Sequence, residues 1–219
     1  MSIAENPLVG RMKGSMANFT MYTLNGKNVV RGKAFKIKDA RSPDQLVLRE
    51  RMTLLNEMYS GFESIIRLGF PERHEGLTPQ NMFISVNFST SYEIIDEIQV
   101  ISFPLLKLSQ GSMPGVKVMD AVIGEEGIIV RYDAKSMEPE VASTDEIVSC
   151  ARLITGELLI SRQFIGYDAV GTILLKYPEL QAEDVMGCYV FIRSGDGKKA
   201  SDSVYVEVEG STQSANESD

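Results

Sequence analysis

Between residues 116 and 208, seven short runs rich in Val, Ile and Tyr follow one another, separated by Gly, Pro, Asp and Glu. The runs cover 116–123, 127–133, 146–155, 158–164, 172–177, 188–193 and 203–208. β-branched and aromatic residues in pieces of this length, punctuated by turn formers, predict strands rather than helices. Several runs alternate. Ile128, Val130 and Tyr132 oppose Ile129 and Arg131, and Ile147, Ser149 and Ala151 oppose Val148, Cys150 and Arg152. Seven short strands within roughly a hundred residues fit an immunoglobulin- or fibronectin-III-like antiparallel β-sandwich. Thr155-Gly156-Glu157 and Ser194-Gly195-Asp196-Gly197 supply hairpin turns. The chain has no Trp and no Cys–Trp–Cys pattern, which argues against an antibody-type domain.

Upstream, 42–68 has a helical period. Leu48, Met52, Leu55, Tyr59, Phe62 and Ile66 recur at spacings of three and four, with Arg49, Glu50, Glu57 and Glu63 on the other side. Such a stripe is expected to pack on a core. Ser42 and Gln45 form a capping-box pattern. Pro43 suits the first helical position, and Asp44 suits the positive end of the helix dipole. Gly61 costs roughly 1 kcal/mol relative to Ala in mid-helix, so a kink or a close backbone contact is expected there. Gly69 before Phe70-Pro71 is the stop signal. A second short helix is expected to start at Thr78-Pro79 and run through Met82-Phe83, with 85–91 irregular or strand-like.

Nearer the N-terminus, Asn25-Gly26 lies between two strand-like runs, 18–24 and 27–33, and predicts a hairpin with a type I′ turn. Residues 1–18 lack any period and are read as an extended arm, and 34–40 as an extended basic connection. The expected class is therefore α+β, an N-terminal β-hairpin plus long helix followed by the sandwich. The expected organisation is arm 1–18, hairpin–helix domain 19–98, sandwich 99–210 with 109–115 as the boundary loop, and disordered tail 211–219.

Charge is unevenly distributed along the chain. The net value of −8 combines a basic stretch, 1–41, with an acidic remainder. The basic residues there are Arg11, Lys13, Lys27, Arg31, Lys33, Lys36, Lys38 and Arg41, against only Glu5 and Asp39. These eight cations are the candidate contacts for a protein or anionic partner, with neighbouring copies of the chain ranked ahead of nucleic acid. No stretch reaches the roughly 18 apolar residues of a membrane span. The opening residues lack a secretory h-region. The expected location is the cytoplasm, or a virion assembled there, with no membrane partner.

Chemical signatures point away from catalysis. The single His74 lies in a polar loop between Arg73 and Glu75, without the partners that a metal site or a triad needs. Cys150 and Cys188 sit in hydrophobic runs and are read as small buried hydrophobes rather than a disulfide. The acidic pairs Glu125-Glu126, Glu138/Glu140, Asp145-Glu146 and Glu183-Asp184 are read as solvated turn residues, without EF-hand spacing. Gly10 to Ser15 only loosely resembles a phosphate loop. No catalytic, cofactor-binding or metal residue is assigned.

Several segments in order resemble an uncharacterised family, a domain of unknown function, of Bacteroidetes and their phages. The matching pieces are Gly26-Lys27-Asn28-Val29-Val30, Arg41-Ser42-Pro43-Asp44-Gln45 with a following arginine, Asn81-Met82-Phe83, and Asp196-Gly197-Lys198-Lys199-Ala200-Ser201-Asp202-Ser203-Val204-Tyr205. The last is the most specific. The first twenty residues depart from the family's Gly-Lys-x-Gly rhythm. The resemblance implies the hairpin, helix and sandwich order and attaches no activity. The expected function is a non-enzymatic structural or assembly protein, with a phage virion accessory or decoration protein as its concrete form. The alternatives are a nucleic-acid-associated protein using the basic arm, and a ligand- or glycan-binding sandwich with Tyr132, Tyr167 and Tyr177.

Overall fold

The computed structural model describes residues 2–4, 13–24, 26–33, 41–96, 98–133, 142–165 and 170–210. The expected basic connection 34–40, the tail 211–219, most of the arm, Arg11, Lys36, Lys38, Glu138, Glu140 and Tyr167 lie outside them. The chain forms two compact units, 1–46 and 47–219. The expected division at 98/99 falls inside the second unit, and the helix belongs mainly with the sandwich.

In the first unit the Asn-Gly hairpin is present as β3 (Phe19–Leu24) and β4 (Lys27–Gly32), paired antiparallel with Leu24 opposite Lys27. Gly26 has φ +80°, the left-handed conformation that the tight turn demands. The segment expected to be a free arm contributes two further strands. β1 (Ser2–Ala4) pairs with β4, and β2 (Gly14–Met16) pairs with β3, giving the order β1-β4-β3-β2. A two-stranded hairpin is marginal alone, and these strands occupy both of its edges.

The second unit is three-layered. The expected helix is α1 (Pro43–Gly69), with Ser42 Oγ accepting from the Gln45 amide at 3.3 Å. α2 (Pro79–Asn87) starts where Thr78 caps the Asn81 amide at 3.2 Å, but it runs past the expected end and makes 85–87 helical. The buried Asn87 amide donates to Phe83 O and Lys107 O, anchoring the helix end. A hairpin not anticipated from sequence follows: β5 (Tyr92–Ile95) and β6 (Ile98–Ile101). Asp96 takes a positive φ of 50° at its tip.

The sandwich strands fall close to the seven runs. They are β7 (Val118–Gly124), β8 (Gly127–Asp133), β9 (Glu146–Leu153), β10 (Leu158–Phe164), β11 (Val170–Lys176), β12 (Val185–Arg193) and β13 (Val204–Val206). A short β14 (Val208–Glu209) adds parallel to β7. One sheet has the order β11-β8-β7-β14 and the other β10-β9-β12-β13. Leaving out β14, three strands face four across the sandwich, the arrangement expected of a fibronectin-III-like domain.

The β10-β9-β12-β13 sheet is the middle layer. Ile147, Ala151, Cys188, Val190 and Ile192 pack with Val130, Tyr132, Ile173 and Leu175 of the opposing sheet. On the other face, Val148, Cys150, Tyr189 and Phe191 pack against Leu55, Phe62, Ile65 and Ile66 of α1 and Phe83 of α2. Burial on both faces explains why these runs are almost continuously apolar. The expected boundary loop is instead built in: Leu106, Leu108 and Ser109 are buried between the end of α1 and residues 199–203.

Candidate interaction surfaces

The most distinctive sequence motif, 196–205, is taken up by the fold. Ser203 Oγ accepts the Leu108 amide at 2.9 Å and the Ser109 amide at 3.3 Å. Ser109 Oγ is fully buried and lies 2.9 Å from Gly69 O and 2.6 Å from Ser201 O. Glu72 Oε1 accepts from the amides of Ser112 (2.9 Å) and Ala200 (3.2 Å). Desolvation pushes the Glu72 carboxyl up, but those amides and nearby Lys199 outweigh it, so its pKa lies below the ordinary carboxylate value. Asp196 is likewise held low, chiefly by the Lys198 amide. The motif therefore closes a seam between helix end, linker and sandwich.

Buried titratable side chains also serve packing. Cys150 and Cys188 are free and buried on opposite faces of the middle sheet, which separates the two thiols. Desolvation raises both thiol pKa values, that of Cys188 to about 12. Desolvation also raises the Tyr189 pKa, and its hydroxyl donates to Phe103 O at 2.8 Å. His74 lies in an exposed turn, as expected. Among the described residues no group of three or more His, Cys, Asp or Glu is arranged to hold a metal. Tyr132, a candidate for sugar contact, is 1% exposed and belongs to the core, so it cannot stack on a ligand. Tyr177 donates its hydroxyl to Glu157 at 3.0 Å.

Three surfaces remain. On the first, the apolar stripe of α1 is buried only in its second half. Val47, Leu48 and Met52 are exposed, the last two at 47% and 42%. Leu48 and Met52 line a groove of about 500 Å³ with Ile84 and Phe88 of α2. At the tip of β5–β6, Ile94 and Ile98 are exposed at 74% and 61%, and Ile95 is also open. Arg51 fastens the hairpin to the helix: its Nε donates to Gln99 Oε1 at 2.7 Å, its carbonyl accepts from Tyr92 Oη at 2.8 Å, and its guanidinium lies 5.1 Å over the Tyr92 ring. The signal for this hairpin was present in Ile94-Ile95-Asp96-Glu97-Ile98, but Asp-Glu is a weaker turn signal than Asp-Gly.

The second surface is basic. Strand pairing places Thr20 and Tyr22 of β3 and Lys27, Val29 and Arg31 of β4 on one face of the N-terminal sheet, with Ser15 of β2; Val29 at its centre is buried and the charged residues ring it. Lys13 and Lys33 continue the same alternation at the strand ends, and Lys13, Lys27, Arg31 and Lys33 are all exposed. Arg41, also exposed, precedes α1. Five of the eight candidate cations are thus described, and four share a face.

The third surface is the outward face of the β11-β8-β7-β14 sheet. Val122, Ile129 and Leu174 form a half-buried row across three strands. The next row holds Arg131, which donates to both Asp120 carboxylate oxygens. Glu125 and Glu126 stand at the β7–β8 turn and, with Ile129, Thr172, Leu174 and Gln163, line a groove of about 480 Å³. Asp145, read from sequence as a solvated turn acid, is buried and accepts from the Ala142 and Gly195 amides. No protein family, curated protein or solved structure matches the chain.

Proposed function

We propose that the protein is a non-enzymatic structural or assembly component that works by presenting surfaces to protein partners. Its concrete form is an accessory or decoration protein of a phage virion, made in the cytoplasm, in keeping with the resemblance to a family of Bacteroidetes and their phages. The observation that carries this reading is the set of exposed apolar side chains Leu48 and Met52 on α1 and Ile94, Ile95 and Ile98 at the β5–β6 tip, on two elements pinned together through Arg51. Large apolar side chains gathered outside a core mark surfaces that partners cover. The specific motif 196–205 and the buried thiols are occupied with stabilising the fold, which fits a scaffold rather than a reaction centre. No helix is long and apolar enough to cross a membrane among the described residues.

The test is sedimentation velocity over a wide concentration range, with wild type and a Leu48→Glu/Ile95→Glu variant. Concentration-dependent association that the variant loses supports the reading. A wild type that stays monomeric throughout, with no partner in pull-downs, overturns it. A second reading, nucleic-acid association, draws on Tyr22 among Lys13, Lys27, Arg31 and Lys33 on one sheet face. It requires oligonucleotide binding that weakens steeply with salt.

A further inference from the structure

Charge and fold divide at nearly the same place. The unit 1–46 holds eight Lys/Arg against three Asp/Glu, whereas 47–219 carries a net charge of −13. Within the second unit the two sheets differ. The middle sheet is covered on both faces, by helices and by its partner sheet. The β11-β8-β7-β14 sheet has one face in the core, and its outward row Val122–Ile129–Leu174 is half-exposed.

We propose that this outward face, from that row to Glu125 and Glu126, docks the exposed basic side chains Lys13, Arg31 and Lys33 of the N-terminal sheet of a second copy. The inference rests on the assembly reading above and adds to it a charged contact between copies, separate from the apolar residues of α1 and β5–β6. The groove combines an Ile129–Leu174 floor with a carboxylate rim. Lys and Arg lay their aliphatic stems on apolar surface while their heads stay near water or an anion, so this groove suits them. Arg131 lies on the same face, but its charge is already matched by Asp120 in a two-point contact. Lys176 at the end of β11 is the opposing charge. The contributing basic positions are Arg31 in β4 and Lys13 and Lys33 just beyond the ends of β2 and β4, all exposed. Because the two patches differ, the contact is heterologous. It generates a ring if the rotation closes and an open head-to-tail chain if it does not.

Sedimentation velocity of the full chain at low and high salt tests this. Contacts between exposed charges are screened within about 10 Å at 0.1 M salt, so wild type should associate at 50 mM NaCl and weaken about tenfold or more at 500 mM. Lys13→Glu/Arg31→Glu/Lys33→Glu and Glu125→Lys/Glu126→Lys should each remain monomeric at 50 mM NaCl. Circular dichroism should show both folded. An equimolar mixture of the two should associate again, because each variant's reversed patch now complements the other's. If wild type associates and Glu125→Lys/Glu126→Lys associates equally well, the surface assignment falls while the assembly reading stands. A wild type monomeric at every salt concentration removes self-assembly itself. If only a 20-base oligonucleotide responds to the Lys13/Arg31/Lys33 reversal, the basic face serves nucleic acid and the proposal is wrong.

Discussion

Arg152 Nη1 donates to the carbonyl of Gly61 at 3.0 Å, joining strand β9 to the middle of α1 across 91 residues of chain. The same guanidinium lies 5.9 Å over the Phe62 ring. A Cβ on Gly61 would stand 3.1 Å from it, so the glycine that weakens the helix makes room for the strand's cation. Charged hydrogen bonds of this kind contribute about 1.5–3 kcal/mol. Arg152→Ala should therefore lower unfolding stability by about 1–2 kcal/mol in urea denaturation. Gly61→Ala should gain little in wild type, but roughly 1 kcal/mol on the Arg152→Ala background, where helix propensity acts unopposed. Additive effects in that double-mutant cycle would show that the two residues are not coupled.

Tyr132 fills the core directly over Gly171, its cross-strand partner, and a Cβ there would collide with the ring. Overpacking of this kind costs about 1–3 kcal/mol. Gly171→Ala should lower the melting temperature clearly, and Gly171→Ala with Tyr132→Leu should recover part of the loss. An undisturbed Gly171→Ala protein would mean that the ring is not held there.

Ser109 Oγ serves the seam between α1, the linker and the segment 199–203. Its removal leaves the Ser201 carbonyl short of a donor in a buried site. Ser109→Ala is expected to cost about 1–3 kcal/mol. Hydrogen exchange should speed up around 106–113 and 199–203 before it does in β8. Uniform acceleration through the whole sandwich would argue against a local seam.

The shifted groups set a stability window in pH. Glu72 has a folded pKa below its ordinary value of 4.5, so its contribution is present above that value and is lost as pH falls through the folded pKa. Cys188 and Tyr92 are raised to about 12 from 9.0 and 10.0, both chiefly by desolvation. Their contributions are present below the unfolded values and disappear as pH rises from about 9 towards 12. Denaturation midpoints should decline on both sides. Glu72→Gln should flatten the acid limb alone, and Cys188→Ala part of the alkaline limb alone.

Much of the local structure was legible in the sequence because its causes are local. Ser42 and Thr78 cap the amides three residues on, and Gly26 and Gly156 take the positive φ that their turns need. The β5–β6 hairpin escaped because Asp96 adopts that conformation without a glycine beside it. Residues 14–16 look like arm in the sequence because three residues with a central serine carry no period. The sandwich face row Val122–Ile129–Leu174 and the basic face of the small sheet became visible only once strand pairing set which side chains share a side.

By itself the sequence determined the two helices, the Asn-Gly hairpin, the seven sandwich runs, their order and the separation of charge, since backbone preference, capping and composition act within a few residues. The tertiary structure decided which faces are covered. Val148 and Cys150 alternate with Ile147 and Ala151 along one strand, and both sets are buried, Val148 and Cys150 beneath Leu55, Phe62 and Ile66 of α1. It also decided that 109–115 is a built-in strip rather than a boundary, through Ser109 and its partners at Gly69 and Ser201. Those contacts join residues 40 and 92 positions apart. A periodic pattern shows that a face is apolar, but which distant element removes it from water depends on how the whole chain closes.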